Sequence, residues 1–358
     1  MNSPRGRRAE GKLSMRIVRL GFLAGAFIGV MASTGSAAAP AENYHLLKKV
    51  VLGGEGFWDY LSCDSEARRV YISRGSHVMV VDADSYQVRG DIPGTEGVHG
   101  IAVARDSGRG YTSNGRSNSV TIFDLKNLEI LGTAPTGEGP DAIIYDPASR
   151  RVFTFNGHAG TSTAIDAAAG TVAGTVTLGG RPEFAAADGQ GHIYNNLEDK
   201  SEVVEIDSQK LTVMVHWPLA PCEEPSGMAI DASHRRLFVG CHNKMMAIMD
   251  ADSGKVLATP PIGEGVDANA FDPGTQLAFS SNGEGSLTIV HEDSPDRFTP
   301  VASVSTQRGA RTMALDTKTH KVFLVTAEFG PTPAPTADHP HPRPSMRPGS
   351  FTLLVFGP

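Results

Sequence analysis

Residues 137–178 read GEGPDAIIYDPASRRVFTFNGHAGTSTAIDAAAGTVAGTVTL, and this stretch contains one complete structural unit. It opens on Gly137-Glu138-Gly139-Pro140-Asp141, runs through apolar residues 142–145 and turns at Asp146-Pro147-Ala148-Ser149-Arg150. Further strand-like runs follow at 151–156, 163–165 and 172–178. Short apolar runs bounded by turn signals read as buried strands. Asp-Pro followed by small polar residues makes a turn, because the aspartate caps its own backbone and the proline fixes φ. Four such strands form an antiparallel sheet whose apolar faces nothing inside the unit can cover.

The unit recurs along the chain. Tyr71, Tyr111, Phe153, Tyr194, Phe238, Phe279 and Phe323 mark it at spacings of 40, 42, 41, 44, 41 and 44 residues. Apolar runs ending at Asp82, Asp124, Asp166, Asp207 and Asp250 repeat every 41 to 43 residues. The aspartate turn returns at Asp64, Asp231, Asp272 and Asp316, is shortened at Asp188-Gly189, and is irregular around Arg105-Asp106. A period in the low forties with several strands per copy predicts blades that stack to bury their shared faces. The expected fold is all-β: a WD40-like, seven-bladed β-propeller of four-stranded antiparallel blades. Blade seven has strands at 312–315, 321–326 and 351–356 but no fourth, while residues 44–52 precede blade one without a local partner. Pairing these orphan edges closes the ring, the N-terminal strand completing blade seven.

A length of 358 residues alone suggests two domains, but the repeat makes residues 44–358 a single ring. Forty glycines and 23 prolines suit a chain of many tight turns. Residues 1–39 read as a secretory signal peptide: six basic residues, an uncharged run at 20–32, then Ser36-Ala37-Ala38-Ala39. The apolar run is too short for a membrane span, no cysteine follows it for a lipid anchor, and Met15 is an alternative start. A periplasmic or secreted location follows. Cleavage takes six of 32 basic and one of 39 acidic residues, leaving a mature net charge of −12. That charge argues against nucleic acid as a partner. Of the three cysteines, Cys222 and Cys241 fall at the same end of one predicted hairpin, where a disulfide is geometrically allowed; the alternative is two unpaired thiols packed as small apolar groups. Cys63 reads as a buried packing residue.

The marker aromatics begin tetrapeptides: Tyr71-Ile72-Ser73-Arg74, Tyr111-Thr112-Ser113-Asn114, Phe153-Thr154-Phe155-Asn156 and Phe279-Ser280-Ser281-Asn282. These resemble the Tyr-Val-Thr-Asn motif of the YVTN-repeat β-propellers, among them the YncE-like exported proteins. The motif loses its asparagine at Tyr194-Asn195-Asn196-Leu197, Phe238-Val239-Gly240-Cys241 and Phe323-Leu324-Val325-Thr326. The resemblance implies a seven-bladed periplasmic propeller and brings no catalytic residue set, so no residue is given a catalytic role.

Candidate binding residues follow from blade geometry. Aligning the blade openings on Gly139-Pro140-Asp141 places one residue per blade at the mouth of the axial channel: Trp58, His99, Asp141, Glu183, Ser226, Asp267 and Arg311. Converging polar groups at a concave mouth mark a ligand site; the plain alternative is a hydrated polar tunnel. A second ring follows the marker aromatics: Asn114, Asn156, His158, His242 and Asn282, with Glu328 nearby. Asparagine there is a turn former, whereas imidazole serves neither turn nor packing. His99, His158 and His242 could offer nitrogen ligands to a metal ion, and Asp141, Glu183 and Asp267 oxygen ligands to calcium. A loop at 329–349, rich in proline and carrying His339, His341, Arg343 and Arg347, is inserted on the same face as a lid, a docking arm or a plain solvated loop. The glycine triplets open strands and cradle no phosphate, and no Gly-x-Ser-x-Gly elbow is present. The leading reading is a non-enzymatic scaffold, needing no cofactor, that binds a small ligand or periplasmic protein at the mouth. The alternative is a metal-dependent hydrolase resembling the sugar-lactonase propellers.

Overall fold

The computed structural model describes Met1 and residues 43–54, 56–334 and 344–358. The segment expected to be a signal peptide, after Met1, together with Glu55 and with His339, His341 and Arg343 of the proline-rich loop, lies outside the described residues.

Seven four-stranded antiparallel sheets follow one another around a ring. Blade three shows the plan, with strands Pro140–Asp146, Arg151–Asn156, Thr161–Asp166 and Val172–Thr177. Blade seven is assembled from both ends of the chain. Its strands Met313–Asp316, Lys321–Thr326 and Thr352–Gly357 are completed by His45–Val51, which runs antiparallel with His45 opposite Gly357 and Val51 opposite Thr352. Tyr44 anchors that closure: its hydroxyl donates to the carbonyl of His320 at 2.6 Å and its ring packs 5.2 Å from Phe279.

The seven marker aromatics are fully buried between blades. A tyrosine there needs a partner for its hydroxyl. Tyr111 donates to Ala167 and Tyr194 to Ala251, each in the following blade. The turn aspartates act as the chain chemistry predicts: Asp146 accepts from the amides of Ala148 and Ser149, and Asp124 from those of Lys126 and Asn127. Blade two, which lacks the turn aspartate, substitutes a 3-10 turn at Arg105–Ser107.

Asn114, Asn156 and Asn282 share one task. Asn156 accepts from the Thr154 hydroxyl and donates to those of Thr161 and Thr163, and the other two repeat this pattern with Thr112, Ser119 and Thr121, and with Ser280, Ser286 and Thr288. All three are buried. They cap the second and third strands of their own blades and are not offered to a ligand.

Candidate ligand site at the channel mouth

Each ring residue stands at the head of its blade's innermost strand, and the polar ends of second strands hold several of them in place. The Ser113 hydroxyl donates to the carbonyl of Asp141, Asn196 to that of Ser226, and Ser281 to that of Arg311, each in the next blade. Asn195 donates to the carbonyl of Glu183 in its own blade. The third residue of the tetrapeptide thus carries a structural load: it fixes where the neighbouring ring side chain starts.

In blade one the structure places Asp59, not Trp58, in the ring. Trp58 turns outward to pack 5.3 Å from Phe351 and 6.0 Å from Phe329. The opening Gly54-Glu55-Gly56-Phe57-Trp58-Asp59 is one residue longer than Gly137-Glu138-Gly139-Pro140-Asp141, so alignment on the glycines slips the register by one. Counting back five positions from the turn aspartates Asp64, Asp146, Asp188, Asp231, Asp272 and Asp316 gives Asp59, Asp141, Glu183, Ser226, Asp267 and Arg311. That count was the signal available for Asp59.

Neighbours in the ring bond in sequence. The Ser226 hydroxyl donates to Asp267 at 3.1 Å, Arg311 Nε lies 3.0 Å from Asp267 and its terminal nitrogen 3.6 Å from Asp59. His99 Nδ1 lies 2.6 Å from Asp59 and 3.5 Å from Asp141. The circuit breaks at blade four: among the described residues the Glu183 side chain has neither ion pair nor hydrogen bond. Beneath the ring, Tyr60 of blade one and Phe184 of blade four reach across the axis and meet with centroids 4.8 Å apart. This pair floors the mouth. On its far side lies a cavity of about 640 Å³ lined by Cys63, Ala102, Ile143 and Tyr145. Burial pushes the Cys63 thiol up to about 12, so it is no nucleophile.

Crowded carboxyls in a half-buried mouth resist ionisation. Burial, reinforced by Asp141 and Asp267, pushes Glu183 up to about 9. Burial also raises Asp141 to about 6, against the pull of His99, and raises Asp59 and Asp267 despite their basic neighbours. Burial works to lower His99, but the Asp59 hydrogen bond and the Asp141 charge outweigh it and carry the imidazole up to about 9. At neutral pH His99 and Arg311 are therefore both cationic and both already held by acids.

The second ring does not converge. His158 and His242 are exposed, His242 pairing with Glu224 at 3.2 Å, and Glu328 pairs with Arg347 at 3.2 Å. Arg347 thus ties down the base of its own loop. Among the described residues the one set of histidine and acids gathered in the ring is Asp59, His99 and Asp141, whose ligand atoms lie within 4.8 Å of one another. Cys222 and Cys241 form a disulfide, and Cys63 is free.

No family model matches this chain, and no curated protein matches it. Solved structures do. A chain of the mitotic checkpoint complex is similar at 13% identity over 97% of this chain and 99% of that one, TM-score 0.71. The RRP9 WD40 repeats are similar at 10% identity over 89% and 99%, TM-score 0.70. The hydrazine synthase of Kuenenia stuttgartiensis is similar at 15% identity over 74% and 91%, TM-score 0.65. The chain is a seven-bladed propeller with WD40-like neighbours. At such identities the likeness carries the fold and no residue role. Among the described residues no helix is long and apolar enough to cross a membrane.

Proposed function

We propose that this chain is an exported, non-enzymatic propeller of the YVTN-repeat, YncE-like kind that captures a cationic group at its channel mouth. The group is an ammonium or guanidinium, carried by a small amine or by a lysine or arginine of a periplasmic partner. One observation carries the reading: among the described residues Glu183 is an unpaired carboxyl at the break in a ring whose two cations, His99 and Arg311, are already held by Asp59, Asp141 and Asp267. An incoming cation completes the circuit and lets Glu183 ionise, whereas an anion meets four acids. Export is supported by the signal-like residues 1–39 and by the disulfide, which persists in oxidising compartments. Protein binding has a parallel in the mitotic checkpoint complex, whose WD40-like chain works inside an assembly.

Calorimetric titration with arginine amide, spermidine, an arginine-rich peptide and citrate tests this. The cations bind with release of a proton at pH 7, and Glu183→Gln weakens them about tenfold or more, a loss near 1.4 kcal/mol. If only the peptide binds, the partner is a protein; if the free amines bind equally, it is a small molecule. Binding of citrate alone, or cation binding indifferent to Glu183→Gln, overturns the reading. The rival, a metal-dependent hydrolase, rests on Asp59, His99 and Asp141 as one ligand set. It requires that metal raise the melting temperature and that His99→Asn abolish that rise.

A further inference from the structure

At five of the seven blade junctions a basic side chain of one blade bonds an acid in the first turn of the blade before it. Arg105 reaches Asp64 at 2.5 Å, Arg150 reaches Asp106 at 3.1 Å, Arg235 reaches Asp188 at 2.8 Å, His320 reaches Asp272 at 2.7 Å and Arg68 reaches Asp316 at 2.6 Å. At Asp188, Asp272 and Asp316 one oxygen caps the turn and the other meets the base from next door, at Asp64 one oxygen does both, and at the blade three–four junction Asp146 spends both oxygens on its own turn.

Where blade five meets blade six this arrangement fails. The position of Arg68, Arg150, Arg235 and His320 is taken by Gln276, which shares their left-handed backbone at φ +56° but carries no charge. Asp231, the turn aspartate of blade five, faces a second acid instead: Glu292, on blade six strand Ser286–Ser294. Asp231 and Glu292 are 2% and 3% exposed. Asp231 Oδ1 accepts from the Ser233 amide at 2.9 Å. His234 Nδ1 lies 2.8 Å from Asp231 Oδ2 and 2.9 Å from Glu292 Oε1. One ring nitrogen can serve one of them. Asp231 Oδ2 and Glu292 Oε2 are buried without a hydrogen bond among the described residues. Arg236 close by is committed to Asp250 at 2.6 Å. Two buried acids that share a single imidazole as their basic neighbour, with no arginine or lysine among the described residues paired to either, are costly unless a positive centre lies between them.

We propose that Asp231, His234 and Glu292 hold a divalent transition-metal cation of the zinc class, which replaces the missing basic side chain and staples blade five to blade six. The three ligand atoms lie within 4.8 Å of one another. Zinc bonds of about 2.0–2.1 Å require ligand atoms roughly 3.4 Å apart, so the two contacts at 2.8 and 2.9 Å open by about half an ångström. One nitrogen and two oxygens suit zinc better than calcium, which takes six or more oxygens. The His234 side chain, 37% exposed, gives the ion a way in and leaves a fourth position to water. This site lies at the first-turn end of the blades, opposite the channel mouth, and does not depend on the reading of the ring.

The test uses the full chain, stripped with chelator and dialysed. Titration with zinc should give one site per chain and a raised melting temperature, and cobalt(II) should give a visible d–d band. Glu292→Gln and His234→Asn should each weaken zinc binding about 100-fold and abolish the band. His216→Asn, at an exposed pair with Glu202 elsewhere, should change neither. His234 is at the surface, so its variant folds even if Glu292→Gln does not. Absence of zinc binding, or zinc binding unchanged in His234→Asn, overturns the proposal. A stripped protein that ignores zinc yet is stabilised by Glu292→Gln overturns it too, because the two acids then simply share a proton.

Discussion

Replacing Glu183 with glutamine keeps the side chain's shape and removes its ability to ionise. In the folded protein the carboxyl stays protonated up to about pH 9, against an ordinary value of 4.5 in the unfolded chain. Between those values the unfolded state has released a proton that the native state retains. Stability from this group is therefore greatest below pH 4.5 and declines as pH rises. The slope cannot exceed about 1.4 kcal/mol per pH unit for one proton. Solvent in the open mouth screens the neighbouring acids, which shortens the pH window over which the proton is retained and brings the total loss to roughly half its ceiling. From pH 5 to pH 8 the native protein should lose about 2 kcal/mol that Glu183→Gln does not, or roughly 4–8 °C in melting temperature at the 2–4 °C per kcal/mol typical of larger domains. Urea unfolding of both proteins at pH 5, 6.5 and 8 measures this. The other ring acids titrate in both proteins and cancel in the difference. A stability difference independent of pH, or a variant less stable than the parent at pH 8, would refute a protonated, unpaired Glu183.

Other perturbations bear on the frame around it. Arg311→Ala leaves Asp267 without its counter-ion and Asp59 with His99 alone, and should cost about 3 kcal/mol in urea unfolding at pH 8, less at pH 5, with much of the loss recovered in Arg311→Lys. Asn156→Ala removes hydrogen bonds to Thr154, Thr161 and Thr163 and should cost about 2 kcal/mol while leaving arginine amide affinity within twofold of the parent. Starting the chain after residue 52 strips the partner from Thr352–Gly357, and light scattering should then show association through that bare edge.

The ring architecture was readable because a repeat of the marker aromatics is insensitive to any single substitution, and because the closure follows from counting unpaired strands. Asp141, Glu183 and Asp267 were readable as neighbours for the same reason: a residue at a fixed place in a repeated unit has a fixed place in the ring. Trp58 shows where that logic fails, since the extra residue between Gly56 and Asp59 shifts the opening without disturbing the strand behind it. Pairing was not readable. That His99 reaches both Asp59 and Asp141, or that Arg311 turns back to Asp267, is set by side-chain direction and not by blade order, and Arg311 to Asp59 spans the ring closure. The floor of Tyr60 and Phe184 joins residues more than 120 positions apart, and no local pattern announces it. Nor did local pattern reveal the junction of Asp231 and Glu292, which stands out only once the other junctions are compared.

The most direct measurement is a crystal structure of the protein soaked with arginine amide at pH 7. Density for the guanidinium between Glu183 and Asp141, above the Tyr60–Phe184 pair and within hydrogen-bond distance of the Glu183 carboxyl, is the predicted result. Density at another face, with Glu183 still unpaired at a saturating concentration, would contradict the account.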